Sequence, residues 1–319
     1  MVLYNIFIFV ISIFFLAISS KWLIKSLAKI AEFLGWREFV FSLFAMAFAG
    51  SLPNLFVGIN SVIRGVPRLA IGEVLGGNIF DLTVAIGLAA IISKNGLTVK
   101  SRTVQGTAIF TLLVALLPLI LIYDSLLSRI DGLILIFTFI AYLSWLFSKE
   151  ERFTRVYDEK DKIVGLKDVL ESFVTLIGVF VLLFLAAKGV VQTTIYFAEL
   201  LNLSLISIGL LVVGVSNALP ETFFSIQAAK KGDDWMVVGA LMGAVISITT
   251  LTLGIVAILS PIQLVDYDFS LLVVARIFLI IAAVSFLLFI RTGNKITRKE
   301  GIYLLVVYAL FVLIQIFML

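Results

Sequence analysis

Residues 212–225 read VVGVSNALPETFFS, and residues 45–58 read AMAFAGSLPNLFVG. Each stretch sets small and polar residues ahead of a proline in the middle of a long apolar run. When Pro53 is laid on Pro220, a shift of 167 positions, the register holds without a gap across four apolar segments. Lys21 then meets Lys188, Glu32 meets Glu199, Leu52 meets Leu219, Phe56 meets Phe223, and Gly65, Gly72, Gly76 and Gly87 meet Gly232, Gly239, Gly243 and Gly254. Fixed-period identity of this kind marks a duplicated unit.

Working outward from these segments, the chain is 62% hydrophobic over 319 residues, with 28 Phe and a mean hydropathy of +1.19, which lies outside the range of a water-soluble domain. Apolar runs of about 20 residues recur, each long enough as helix to cross roughly 30 Å of hydrocarbon. Spans are expected at 2–24, 38–63, 69–93, 104–124, 130–148, 169–191, 205–229, 236–260, 269–290 and 302–318. The fold class is therefore an all-α, multi-pass integral membrane protein of about ten helices. A transmembrane β-barrel does not fit such runs. The first run lacks a basic leader and a small-residue cleavage site, so it reads as a span rather than a signal peptide.

Five spans per half is an odd number, so the second half enters the bilayer from the opposite side, giving an inverted repeat. The expected division is 1–148, a first five-helix repeat with its signature region at 40–93; 149–168, a charged loop; and 169–319, a second repeat with its signature region at 207–260. Of the 24 Lys and Arg, all but Arg64, Arg68, Arg129, Lys188 and Arg276 fall on one side of this layout. The positive-inside bias then predicts both termini outside and a cytoplasmic 149–168 loop. Topology also accounts for the net charge of +4, so no nucleic-acid partner is expected. The bilayer is the solvent, a prokaryotic plasma membrane the expected location, and the oligomeric state is left open.

The chain has no Cys and no His, so neither thiolate nor imidazole chemistry is available, and ion handling falls to carboxylates, hydroxyls, amides and carbonyls. Proline lacks an N–H, so Pro53 and Pro220 free the carbonyls of Ala49 and Ser216 and should kink their helices. Asn54 and Glu221 follow the prolines directly. The next span of each half reads GEVLGGNIFDLTVAIG from Gly72 and GALMGAVISITTLTLG from Gly239. Asp81 lies at mid-span in the first. Glycines spaced by four let helices approach closely. A carboxylate near the bilayer centre costs at least about 2.5–3.5 kcal/mol on insertion scales, so Asp81 and Glu221 read as ion- or proton-pathway residues. Glu73 reads equally as an access-path carboxylate or as a solvated helix end, and Arg276 as a snorkelling structural residue.

These segments resemble the paired signature repeats of the Ca²⁺/cation antiporter superfamily, with the nearest likeness to prokaryotic Na⁺/Ca²⁺ exchangers. The resemblance rests on G-S-L-P-N and S-N-A-L-P-E, each followed by a G-x-x-x-G helix in opposite-facing halves. It implies a secondary-active antiporter, not an enzyme, with no resident cofactor and with inorganic cations, Ca²⁺ and Na⁺ or H⁺, as transported ligands. Carried over position by position, it implies Asn54, Glu221 and Asp81 as ligands, the carbonyls of Ala47 and Gly214, and the polar groups of Ser51 and Asn217. Alternating access is expected to come from the first and sixth spans sliding or rocking across a rigid core of spans two, three, seven and eight.

The sequence departs from the family pattern at four places: Asn54 stands where Glu is usual, Ile248 where a polar or acidic residue is usual, and Gly77 and Ala244 where Ser is usual. Two carboxylates remain, which balance one divalent ion, whereas three monovalent ions would leave excess charge in a low-dielectric site. The expected exchange is one Ca²⁺ or other divalent cation for about two Na⁺ or two H⁺. Asn54 and Ile248 leave open a non-transporting scaffold with a degenerate ion site. An intramembrane aspartyl protease needs two mid-membrane Asp residues. Only Asp81 qualifies, because Asp124, Asp131, Asp266 and Asp268 fall at span ends.

Overall fold

The computed structural model describes residues 1–33, 38–99, 102–148, 166–264 and 266–318. The expected loop at 149–168 lies outside the described residues except for its last three, which form the first turn of a helix. Ten helical columns follow one another: α1 Val2–Phe33, α2 Glu38–Ile63, α3 Arg68–Ile92, α4 Arg102–Leu121, α5 Arg129–Phe147, α6 Leu166–Leu201, α7 Leu205–Lys231, α8 Asp234–Leu259, α9 Asp266–Arg291 and α10 Arg298–Phe317. Their apolar composition and length make the chain a multi-pass integral membrane protein.

Local chemistry starts and stops these helices twice over. Ser128 and Asp131 form a reciprocal capping box at the head of α5, and Thr297 and Glu300 form another at the head of α10. Two short antiparallel pairs tie the loops: β1 Leu97–Thr98 with β4 Lys295–Ile296, and β2 Leu126–Leu127 with β3 Ile262–Gln263. One joins the exit of α3 to the entry of α10, and the other joins the exit of α8 to the entry of α5. The halves thus trade partners, as an inverted repeat requires. The capping boxes and the glycines after them, Gly132 and Gly301, are offset by 169 rather than 167 positions. Two extra residues in the second half explain why the sequence register fades beyond four spans.

Packing repeats the exchange. A Cβ at Gly87 of α3 would lie 2.8 Å from the Gly301 carbonyl oxygen of α10, and one at Gly132 of α5 would lie 2.8 Å from that of Gly254 in α8. α2 packs on α8 and α3 on α7, so these four helices form the centre. α1 and α6 run antiparallel along one flank, with Ser12 against Gly189.

Two features differ from the sequence expectation. α1 and α6 extend to 32 and 36 residues, well past the 2–24 and 169–191 runs, because both continue as helix beyond the apolar segment. Wide π turns, which composition does not announce, occur at Asp81–Ala85, Gly209–Val213 and Ile248–Thr252. The first and third are again 167 positions apart. Pro53 and Pro220 lie inside α2 and α7, with helix on both sides of each.

Candidate functional site

Glu73, Gly77 and Asp81 are spaced by four and share one face of α3, which is buried throughout from Leu69 to Phe80. That face meets α7 almost backbone to backbone. A Cβ at Gly72 would collide with the Ile206 carbonyl oxygen and one at Gly76 with that of Leu210. Reciprocally, a Cβ at Gly214 would lie 2.6 Å from the Gly77 nitrogen and 2.7 Å from the Glu73 carbonyl oxygen. The glycines therefore set the distance at which side chains of the two halves can meet.

Asp81 begins the π turn of α3. Its carbonyl accepts from the N–H of Ile86, five residues on, and the Ile248 carbonyl accepts from Leu253 in the mirror position. The Asp81 side chain is 0% exposed, and neither carboxylate oxygen has a hydrogen-bond partner. Glu221 follows Pro220 on α7. Its Oε1 lies 3.1 Å from where a Cβ on Gly50 of α2 would stand, and its Oε2 is buried with no partner. Asp81 and Glu221 lie close enough for direct Coulombic repulsion between their carboxylates. Two acids contributed by opposite halves thus lie near each other, with three of their four oxygens lacking a hydrogen-bond partner.

On α2, Asn54 and Ser51 are both buried, and the Ser51 hydroxyl donates to the Phe48 carbonyl at 2.9 Å. Asn217 and Glu221, four apart, share one face of α7, and the Asn217 Nδ2 donates to Glu73 Oε1 at 2.6 Å. Gly214 lies in the close contact with Glu73 and Gly77 described above. Ala47 belongs to the α2 helix, in a stretch whose side chains are outside the described residues. Ile248 is buried at the start of its π turn and supplies no oxygen from its side chain. Among the described residues, no group of three or more Asp, Glu, His or Cys gathers as a ready-made metal cluster. Asp81 and Glu221 supply two carboxylates that interact electrostatically across the halves.

Glu73 is not a solvated helix end, since it is 1% exposed and held by Asn217. The i, i+4, i+8 spacing of Glu73, Gly77 and Asp81 carried that signal. Asn78 Nδ2 donates to Thr249 Oγ1 at 2.6 Å and bridges the halves, with no sequence signal beyond polarity at depth. Ser225, Ser247 and Thr252 add buried hydroxyls without partners.

The Glu73–Asn217 pair yields a stability prediction. Asn217→Leu strands both Glu73 oxygens without a donor, which should destabilise the protein by about 1–3 kcal/mol. Glu73→Met/Asn217→Leu removes both partners and should recover most of that loss. Thermal melting in detergent checks it, and a double variant as unstable as the single would count against the pairing.

Comparison with known proteins places these features in context. The sequence model of the family described as sodium/calcium exchanger protein matches residues 4–148 and 171–317. The chain is 25% identical to the sodium/calcium exchanger MaX1 of Methanosarcina acetivorans, covering 98% of this chain and 99% of that one. It is 25% identical to an uncharacterised membrane protein of Methanocaldococcus jannaschii, covering 94% of each. A solved structure of the sodium-calcium exchanger NCX_Mj, soaked with Na⁺ and Sr²⁺, superposes with a TM-score of 0.67 at 26% identity over 98% of this chain and 99% of that one. MaX1 and NCX_Mj are sodium/calcium exchangers, not enzymes.

Proposed function

The chain belongs to the sodium/calcium exchanger protein family, and from that premise we propose that it is a secondary-active antiporter exchanging Ca²⁺ for Na⁺ across the membrane. The ion sits between Asp81 and Glu221. Asn54, Ser51, Asn217 and the carbonyls of Ala47 and Gly214 contribute neutral oxygens to the shell of six to eight that Ca²⁺ takes. The observation that carries this reading is the pair of carboxylates, one from each half, with three of their four oxygens buried and lacking any partner. Buried charge without a donor is costly, and a cation relieves it.

Charge balance sets the coupling. One divalent ion neutralises Asp81 and Glu221, and about two Na⁺ do the same, whereas three would leave a net positive charge in a low-dielectric site. Asn54 and Ile248 stand where further acids would have supported a third. In this reading the site lies between two five-helix repeats, 1–148 and 169–319. Alternating access then arises by movement of α1 and α6 across the core of α2, α3, α7 and α8. The Lys/Arg bias supports an arrangement with both termini outside and residues 149–168 in the cytoplasm.

Flux through proteoliposomes tests the coupling. Ca²⁺ uptake driven by an outward Na⁺ gradient should rise with internal Na⁺ no more steeply than second order. A steeper dependence contradicts the stoichiometry. Uptake that ignores Na⁺ and follows a proton gradient instead would assign H⁺ as the counter-ion.

A further inference from the structure

Where α1 and α6 end together, a cavity of about 350 Å³ opens between them, lined by Trp22, Lys25, Ser26, Lys29, Glu171, Ser172 and Thr175. Antiparallel packing brings the C-terminal third of α1 beside the first turns of α6, far from the acids of the ion site. Both helices run well past the length needed to cross the hydrocarbon. Lys21, Lys25 and Lys29 recur every four residues where the apolar run of α1 stops, and Trp22 is 47% exposed beside them. Tryptophan and lysine at that depth mark the headgroup layer.

The polar groups of this cavity are poorly used within the protein. Among the described residues, Lys25, Lys29 and Glu171 take part in no side-chain ion pair, and the Ser26 hydroxyl has no hydrogen-bond partner. Ser172 and Thr175 donate to the carbonyls of Asp168 and Glu171 at 2.8 Å each, which leaves both oxygens able to accept. The lining thus offers two ammonium groups, one carboxylate and three hydroxyls beside an apolar, lipid-facing flank.

We propose that the cavity between α1 and α6, carrying Lys25, Lys29 and Glu171, binds the headgroup of an anionic glycerophospholipid from the surrounding leaflet. The two lysines take the phosphodiester, as basic pockets between membrane helices do. Glu171 and the hydroxyls take the alcohol groups of the headgroup, which explains a carboxylate in an otherwise basic site. The acyl chains lie along the exposed surfaces of α1 and α6, which carry Phe14, Phe173 and Ile177.

Native mass spectrometry on the purified full chain, offered phosphatidylglycerol or phosphatidylcholine, tests this without reference to transport. The wild type should retain phosphatidylglycerol in preference by on the order of tenfold, and Lys25→Gln/Lys29→Gln should lose most of that preference. Thr175→Glu places a carboxylate at an exposed rim position and should reduce the preference even if the double variant folds poorly. Soluble glycerol phosphate should not displace the bound lipid. Equal retention of the two lipids by the wild type, an unchanged preference in the variants, or displacement by glycerol phosphate would each overturn the proposal. An inactive exchanger that still binds phosphatidylglycerol selectively would leave it standing.

Discussion

Asp81→Asn and Glu221→Gln are each expected to reduce Ca²⁺ flux by at least about a hundredfold and to abolish measurable divalent binding, while the protein still folds. Each substitution keeps shape and removes one negative charge. A divalent ion then meets a single carboxylate in a water-poor site, and losing one partner of a buried charge pair costs about 3–5 kcal/mol, with each 1.4 kcal/mol worth a factor of ten. Folding should not suffer, because each substitution removes a carboxylate whose buried oxygens lack a donor. Loss of flux together with a retained or raised melting temperature is therefore the expected pattern. Isothermal titration and proteoliposome flux on the same preparations check it. Unchanged binding in both variants would remove these residues from the mechanism.

The second large effect is expected at Gly76. Gly76→Val drives a branched side chain into the Leu210 backbone, where even a Cβ has no room. Neither side of this contact can yield cheaply, because both are helix backbone rather than the tip of a flexible side chain. Overpacking ordinarily costs about 1–3 kcal/mol, but here the contact also fixes the separation of Glu73 and Asp81 from Asn217 and Glu221. The variant should give little monodisperse protein, and any that survives should have lost divalent binding. Gly178→Val is the matched control, since a Cβ there meets nothing within 4 Å. Size-exclusion chromatography in detergent distinguishes the two, and a Gly76→Val protein that behaves like Gly178→Val would refute the close-contact account.

The parts of the fold that could be read from the sequence are those in which a local rule leaves few choices. Apolar runs between Lys/Arg-rich ends locate helices, the four-residue spacing of Gly72 and Gly76 announces a close crossing, and the repeat around Pro53 and Pro220 identifies paired halves. Asp81 and Glu221 stood out because an acid at mid-span is expensive anywhere except at a polar site. What could not be read depends on contacts made only after folding. The π turns at Asp81–Ala85 and Ile248–Thr252 have no composition signal, and Gly209–Val213 reads as ordinary apolar helix. The Asn78–Thr249 bridge joins residues 171 positions apart that are not repeat partners. Glu73 was ambiguous because its place near the start of α3 would suit a solvated end, and only the packing of α7 over it makes it a buried residue.

If Asp81 and Glu221 hold one divalent ion between the two halves, crystals soaked in Sr²⁺ should show, by anomalous scattering, one dominant peak at bonding distance, roughly 2.3–2.6 Å as for Ca²⁺, from carboxylate oxygens of both residues. A dominant peak that touches neither acid, or only one of them with the other turned toward lipid, would contradict this assignment.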